Sequence, residues 1–248
     1  QAAYLCRVIP TRVLRFVGTG GAVSSNYLDL IAIANRRDAA ERRVMQYLKH
    51  MKGWQKLQLD DVDEEASLAR RAAELARQLP GSRFKPHYQT NRKVLIPDTI
   101  DDYHTQLGAA RNGQIEQWLT QLDMAGRWEM VLCASNEEML QASDALFELN
   151  RHRQDHGQDA GALCQRADEE FHRAVIRRFF ADDALWLAAM KLDGKIIGVF
   201  CAFLWRGELL LVHGDYAAEH ENLNPLAVLS THVMKRAIEQ GLTRLDML

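Results

Sequence analysis

Cysteine, net charge and long apolar runs are all scarce in this sequence of 248 residues. The four cysteines are scattered and include no C-x-x-C pair, so we expect neither a structural zinc site nor a disulfide framework. Their spacing is typical of a reducing compartment, which predicts a cytoplasmic protein. A net charge of −2 with 26% charged residues gives no indication of a disordered chain or of a protein that coats DNA.

Apolar residues are plentiful but are divided into short runs. No run approaches the roughly 20 residues that a membrane-spanning helix needs, so we expect no transmembrane segment. With 47% hydrophobic residues, the chain can form one large core or two smaller ones. The sequence starts at Gln1 and stops inside a predicted strand, so we expect it to be truncated at both ends.

The first third of the chain alternates short apolar runs with helical apolar stripes. Strands are predicted at 13–17, 54–59 and 93–96, and helices at 38–52 and 64–79. The second helix ends at Pro80-Gly81, which is a strong helix breaker. This alternation predicts a small α/β layer within residues 1–98.

The clearest pattern lies in the second half of the chain. Three apolar runs, LWLAAMKL, KIIGVFCAFLW and ELLLVH, are separated by the turn dipeptides Asp193-Gly194 and Arg206-Gly207. They predict an antiparallel meander of strands at 185–192, 195–205 and 208–213. A helix and a further strand from residue 243 follow, and a strand–helix–strand crossover would make that strand parallel to the third one.

A polar loop, GDYAAEHENLN, joins the third strand of the meander to this helix. Asn224 is predicted to cap the helix, with Pro225 at its first position and Gly241 after its end. Free backbone N–H groups at such a helix N-terminus can bind an anion. Every strand–helix unit has a junction of this type, however, so the loop also has an ordinary structural explanation.

Several stretches, in chain order, resemble one known family. They are VLRFVGTGGAVSSNYLDLIA, ALFELNRHRQDHG, DEEFHRAVIRRF and the segment that runs from LAAMKLDGK to TRLDML. They resemble the FemAB-like acetyltransferases of the GNAT superfamily that are associated with cellulose and exopolysaccharide biosynthesis. The meander followed by a strand–helix–strand unit is also the order of elements in the GNAT core.

This resemblance has implications for both fold and function. It implies an α/β fold of two tandem GNAT-like halves, at residues 1–98 and 99–248, with mixed sheets flanked by helices. It also implies an acyltransferase that moves an acetyl group from acyl-CoA to an amine or hydroxyl. The acceptor would be a sugar or another cell-envelope or exopolysaccharide precursor.

The resemblance places the acyl-donor site in the C-terminal half, around the polar loop. Family members begin this helix with Ser-Pro-Gly, whereas this chain has Asn224-Pro225-Leu226, and the leucine makes close approach of a pyrophosphate harder. Asn222 and Asn224 could donate hydrogen bonds instead. The expected donor is acetyl-CoA, with no metal ion. Its predicted contacts are Val212, Asn222, Asn224, Pro225, Leu226 and Ala227.

Candidate catalytic residues follow the third strand of the meander. The donor thioester of a GNAT site would lie at this point, so Asp215 is the predicted base for the attacking amine. Tyr216 is the predicted acid for the leaving thiolate, and His213 is a second candidate base. The alternative is that Asp215 is a turn residue and Tyr216 a packing residue.

The helix that starts at Asn136 carries a candidate substrate-binding pair. Asn150 and Arg153 continue its apolar stripe at helical spacing, so both side chains should point inward. A buried arginine needs a partner, which could be a carboxylate, phosphate or sugar hydroxyl of the acceptor, or an internal salt bridge. His152 and His156 have i, i+4 spacing but lie on the solvated face, so we expect no metal site there.

Two other functions are compatible with the sequence. An aminoacyl-tRNA-dependent transferase of the Fem type would need a positive cleft, but basic pairs such as Arg42-Arg43 alternate with acids on solvated helix faces. A catalytically silent GNAT-like module that binds partners is favoured by Leu226 in place of glycine. The GTGG stretch lacks the third glycine of a dinucleotide-binding fingerprint and predicts a turn. No motif indicates the oligomeric state.

Overall fold

The computed structural model describes residues 12–17, 19, 27–63, 66–79, 81–88, 92–155 and 166–247. The chain divides into two compact units, Gln1–Gln89 and Thr90–Leu248. The three glycines of the predicted GTGG turn and His156 lie outside the described residues. Across the described ranges, every helix is too short or too polar to cross a membrane.

The first unit contains a small parallel sheet and two helices. Strands β1 (Val13–Arg15) and β2 (Lys56–Gln58) pair in parallel. A short 3-10 helix, Ala34–Arg36, precedes helix α1 (Arg37–His50), which packs against helix α2 (Ser67–Gln78). Among the described residues of this unit, the buried apolar side chains are Met45, Leu68 and Leu75. The alternation of strands and helices agrees with the sequence pattern.

The second unit is built on a six-stranded mixed sheet. Its strands are β3 (Arg92–Leu95), β4 (Trp128–Leu132), β5 (Leu185–Leu192), β6 (Lys195–Trp205), β7 (Glu208–Tyr216) and β8 (Arg244–Met247). They lie in the order β3-β8-β7-β6-β5-β4. All neighbours are antiparallel except β7 and β8, which are parallel.

Helices cover both faces of this sheet. They are α3 (Ile100–Ala125), α4 (Asn136–Asp155), α5 (Arg166–Ala181) and α6 (Pro225–Glu239). Helices α4 and α5 pack on one face, whereas α6 packs on the other face with α3 against it. Strand β5, which lies between β6 and the edge strand β4, is buried along almost its whole length, because side chains on both of its faces meet helices. The predicted α/β class with a mixed sheet flanked by helices is confirmed.

The predicted meander is also confirmed. Strands β5, β6 and β7 pair antiparallel in sequence order, and β8 lies parallel to β7. Both hairpins turn through two residues with positive φ, Asp193-Gly194 and Arg206-Gly207. Turns of this kind match the right-handed twist of the flanking strands, which is why the dipeptides predict the hairpins well.

Two predicted boundaries differ from the structure. Strand β7 continues to Tyr216 rather than stopping at His213, because β6 is long enough to pair with it as far as Gly198. The strand predicted at 93–96 is observed as β3 and pairs with β8, so it belongs to the second unit. The chain therefore divides after residue 89 rather than 98. The interpretation of the units as two tandem GNAT-like halves stays a prediction.

Candidate active site

A single extra residue in β7 determines which of its side chains face α4 and α5. Cys201 of β6 lies opposite His213, but the next residue, Ala202, lies opposite Leu211. Val212 therefore has no partner on β6 and forms a β-bulge. Because side chains alternate between the two faces of a strand, the bulge reverses the alternation in the residues that follow it.

The contacts beyond the bulge confirm this reversal. His213 and Asp215 meet side chains of α5 and α4, namely His172 and Asn150. Gly214, between them, lies against the first turn of α6 on the opposite face. Two polar residues are thus directed into the interior on the side of α4 and α5, where the site described below is formed.

Asp215 is the centre of a buried polar cluster, and its side chain is only 4% exposed. Nη1 of Arg153 donates to Oδ1 at 2.9 Å, and Nδ2 of Asn150 donates to Oδ2 at 3.3 Å. The backbone N–H of Tyr216 also donates to Oδ1, at 2.9 Å. One guanidinium balances the carboxylate charge and three donors occupy its oxygens, so the burial of Asp215 is compensated.

This cluster joins two groups of residues that the sequence analysis treats separately. Asn150 and Arg153 point inward, as their helical spacing predicts, and both contact Asp215. Of the two explanations for Arg153, the internal salt bridge is the one observed. The hydrogen bond to Asp215 raises the pKa of the Arg153 guanidinium, so this group stays charged. Asp215 itself lies within β7 and is not a turn residue.

Tyr216 lies beside the cluster at the end of β7. The guanidinium carbon of Arg153 is 5.5 Å from the centroid of the Tyr216 ring, which is within the range of a cation–π contact. The Tyr216 hydroxyl is 3.5 Å from Oε1 of Glu221, at the outer limit for a hydrogen bond. Glu221 lies in a 3-10 helix, Ala218–Leu223, and is exposed. No periodic pattern in the sequence indicates Glu221.

His213 pairs with a histidine that the sequence analysis does not select. Its Nε2 lies 3.3 Å from Nδ1 of His172 on α5, and the ring centroids are 4.7 Å apart. Burial, and secondly the neighbouring His172, lowers the pKa of His213 to about 4, so its imidazole is neutral at pH 7. His172 could have been found from the sequence, because it lies four residues before the buried Ile176 on the same stripe of α5.

Neither Cys201 nor Cys133 carries an activated thiol. Burial raises the pKa of the thiols of Cys201, which lies opposite His213, and of Cys133 to about 12. Both thiols therefore stay protonated at pH 7 and form no thiolate nucleophile. In the described part of the chain, no group of three or more His, Cys, Asp or Glu residues could hold a metal ion. His152 is exposed, as predicted.

Helix α6 begins at Pro225 with Asn224 as its N-cap, as predicted, but the backbone of Asn224 rather than its side chain forms the cap. Asn224 adopts the left-handed conformation, with φ 46° and ψ 57°, and its side chain makes no capping hydrogen bond. Its backbone carbonyl accepts from the N–H groups of Ala227, at 3.1 Å, and Val228, at 3.2 Å. Since Pro225 has no N–H, Leu226 carries the first-turn N–H for which the described residues provide no acceptor.

The first turn of α6 closes tightly onto the sheet. A Cβ atom added to Gly214 would lie 2.9 Å from Cδ1 of Leu226, and one added to Gly198 would lie 3.2 Å from Cβ of Pro225. Glycine at both positions therefore permits this approach without a shift of the Leu226 or Pro225 side chain. The Leu226 side chain covers the backbone of β7 at Gly214, whereas Asn222 is exposed in the 3-10 helix that precedes α6. The remaining predicted donor contact, Val212, forms the bulge.

The part of the chain that forms this site matches a known protein family. Residues 109–248 match the model of a family described as an acetyltransferase (GNAT) domain, and this range is more than half of the chain. The chain belongs to the GNAT acetyltransferase family. All residues of the candidate site, from Asn150 to Ala227, lie within the matched range.

Solved structures with a similar fold include FemX, which is 13% identical with a TM-score of 0.55 over 86% of this chain and 68% of FemX. L-PGS from Bacillus licheniformis is 12% identical, with a TM-score of 0.49 over 86% of this chain and 58% of that one. The C-terminal domain of a putative lysylphosphatidylglycerol synthetase from Agrobacterium fabrum is 12% identical, with a TM-score of 0.48 over 84% of this chain and 58% of that one.

At these identities the likeness to FemX shows the fold alone. The GNAT chain spans less than two thirds of the length of the latter two proteins. A comparison with curated protein sequences gives no match.

Proposed function

We propose that the GNAT domain transfers an acetyl group from acetyl-CoA to an amine or hydroxyl of a sugar that is a precursor of exopolysaccharide or the cell envelope. The observation that carries this proposal is the set of groups at the end of β7. These groups are the neutral imidazole of His213, the carboxylate of Asp215, which Arg153 balances, and the hydroxyl of Tyr216, all within the GNAT domain. The nature of the acceptor rests on the sequence resemblance to the exopolysaccharide-associated family.

In this proposal His213 is the general base. Asp215 is the poorer candidate because its oxygens already accept three hydrogen bonds, one of them from a guanidinium. The imidazole of His213 is neutral at pH 7, and a neutral imidazole always has one nitrogen with a lone pair. His213 would take the proton from the acceptor nitrogen or oxygen as that atom attacks the carbonyl carbon.

Tyr216 is the general acid in the same scheme. Acetyl-CoA supplies the acyl group as a thioester, whose C–S bond breaks as the new C–N or C–O bond forms. The Tyr216 hydroxyl would protonate the leaving sulfur, and the proton on His213 would return to the phenolate through solvent. The guanidinium of Arg153 lies over the Tyr216 ring and helps to hold it in place.

The donor's phosphates are proposed to lie at the start of α6. The groups that support this placement are the N–H of Leu226, the exposed amide of Asn222 and the positive end of the helix dipole. They are fewer than the full set of amides that the Ser-Pro-Gly sequence of the family would offer. A phosphate could bind at the start of α6, but it would be held by only these few hydrogen-bond donors.

Calorimetric titration with acetyl-CoA and with free CoA is the direct test of the donor. We expect both to bind, since the proposed contacts lie on the CoA moiety. A thiol-release assay with amine and sugar acceptors then tests the chemistry. Replacing His213 with glutamine should lower kcat by about a hundredfold, within the range for loss of a general base, at unchanged acetyl-CoA affinity. Equal activity of the variant would remove His213 from this role.

A catalytically silent GNAT-like module is the second candidate. The contact of Leu226 with Gly214 favours it, because the leucine occupies the surface of β7 next to the proposed phosphate site. No binding of either CoA compound would support this alternative. Binding of an aminoacyl-tRNA without binding of CoA would instead support a Fem-type transferase. The similarity of the fold to that of FemX is the reason for considering this alternative.

A further inference from the structure

Glu221 is an exposed carboxylate beside the proposed general acid, Tyr216. It lies in the 3-10 helix Ala218–Leu223, between the end of β7 and the start of α6. Its Oε1 is 3.5 Å from the Tyr216 hydroxyl. Within the part of the chain that the structure describes, no basic side chain forms an ion pair with Glu221. A carboxylate without a cation therefore lies at the candidate site.

The charges around Tyr216 do not cancel. Nη1 of Arg153 donates to Oδ1 of Asp215 at 2.9 Å, so these two charges balance each other. The hydrogen bond to Asp215, and to a smaller extent the charge of Glu221, raises the pKa of the Arg153 guanidinium, so Glu221 lies within electrostatic range of the pair. The imidazole of His213 is neutral at pH 7. One guanidinium and two carboxylates leave one negative charge, which favours a cationic ligand.

We propose that Glu221 is a specificity-determining residue that binds the acceptor as an ammonium ion, and so selects an amino sugar over a sugar that has hydroxyls only. An ammonium has three N–H donors and a positive charge, so it can donate to Glu221 and balance its charge. A hydroxyl can also donate to the carboxylate, but it brings no charge. The inference rests on the proposed function, in which Tyr216 and His213 act at this end of β7.

The bound ammonium must become an amine before it attacks the thioester. It loses one proton to solvent, because Glu221 is exposed and water reaches it. The neutral nitrogen then attacks the carbonyl carbon, and a second proton passes to His213 as the C–N bond forms. The C–S bond breaks and Tyr216 protonates the sulfur. Once His213 has returned its proton to Tyr216, each turnover has produced an amide, free CoA and one proton in solution.

Binding of D-glucosamine and D-glucose, which differ in the group on one carbon, tests this selection directly. NMR titrations of ¹⁵N-labelled protein at pH 7, with and without free CoA, measure both affinities. We expect glucosamine, which is largely an ammonium at pH 7, to bind about tenfold more tightly than glucose. Glu221→Gln keeps an oxygen that can accept from Tyr216 but removes the charge, so it should abolish the preference. Glu221→Asp, which keeps the charge, should retain most of it.

Glu219→Gln is the matched control. Glu219 lies in the same 3-10 helix, but its carboxylate is 3.6 Å from Nζ of Lys195, and the two side chains are 61% and 74% exposed. This variant should bind glucosamine as tightly as the wild type does. Equal affinities of the wild type for the two sugars, no binding of glucosamine, or an unchanged affinity in Glu221→Gln would overturn the proposal. Tighter binding of glucuronate than of glucosamine would also overturn it and would assign recognition to Arg153.

Acetyl transfer separates this inference from the proposed function. Glu221→Gln should raise KM for glucosamine about tenfold with little change in kcat. Binding of glucosamine that depends on Glu221, in a protein that transfers no acetyl group, would support the recognition and refute the proposed function. Transfer to glucosamine with equal KM in the wild type and Glu221→Gln would support the proposed function and refute the role of Glu221. Should Glu221→Gln fail to fold, the comparison of the two sugars in the wild type decides.

Discussion

Replacing Arg153 with methionine tests how far the buried carboxylate of Asp215 depends on its guanidinium partner. The side chain of Asp215 is 4% exposed and that of Arg153 is 25% exposed, so water has little access to the pair. The variant would keep the hydrogen bonds from Asn150, at 3.3 Å, and from the N–H of Tyr216, at 2.9 Å. It would lose the bond from Nη1 of Arg153 and the positive charge of the cluster.

The expected cost follows from this geometry. Removing one partner of a buried ion pair lowers the free energy of unfolding by about 3–5 kcal/mol, because the other charge is left uncompensated. Arg153 is a quarter exposed and Asp215 keeps two donors, so we expect the lower end of that range, about 3 kcal/mol. For a unit of this size, such a loss corresponds to a fall in Tm of about 6–12 °C.

Urea unfolding followed by tryptophan fluorescence measures this loss. Arg178→Met is the matched control, because Arg178 pairs with Asp182 on the surface of α5 and the two side chains are 75% and 49% exposed. An exposed pair of this kind contributes less than about 1 kcal/mol. Adding Asp215→Asn to Arg153→Met should restore part of the stability, since a neutral amide needs no cation. A loss in Arg153→Met no larger than in the control would refute the reasoning.

Three further outcomes are expected. Gly214→Ala should lower the unfolding free energy by about 1–3 kcal/mol because its Cβ would meet Leu226, whereas Gly113→Ala, with open space around it, should not; equal melting temperatures would contradict this contact. Asn222→Asp should weaken CoA binding in calorimetry, through charge repulsion, without changing Tm; unchanged affinity would place the phosphates elsewhere. Between pH 6.5 and pH 4 the unfolded chain protonates His213 and the folded chain does not, so falling pH should remove up to about 3 kcal/mol of stability. Urea titrations should find this loss reduced in His213→Phe, and an equal loss would assign it to other groups.

The sheet could be predicted well because its determinants are local. Each hairpin of the meander is specified by a dipeptide in which both residues adopt positive φ, at Asp193-Gly194 and Arg206-Gly207. The crossover to β8 follows from the handedness and length of a strand–helix–strand unit. The end of β7 could not be predicted in the same way, because its last residues are held by pairing with a distant part of β6.

The sequence names several residues of the candidate site, but it does not predict the contacts between them. Helical spacing correctly indicates that Asn150 and Arg153 point inward, yet it gives no information about what lies opposite them. Their partner, Asp215, is more than 60 residues away in the chain and is itself a candidate base. Asn224 is the N-cap of α6, as predicted, but its left-handed conformation was not predicted, and its side chain makes no capping hydrogen bond.

The bulge at Val212 explains why the orientation of His213 could not be read from the sequence. Along an uninterrupted strand, His213 and Asp215 would share a face with Leu211, and that face packs against α6. The unpaired Val212 reverses this, so that His213 reaches His172 and Asp215 reaches Arg153 on the other face. His213 and Asp215 then have polar partners, and Gly214 faces α6 and lies against Leu226. One unpaired residue therefore decides both which groups can act as base and how closely α6 approaches β7.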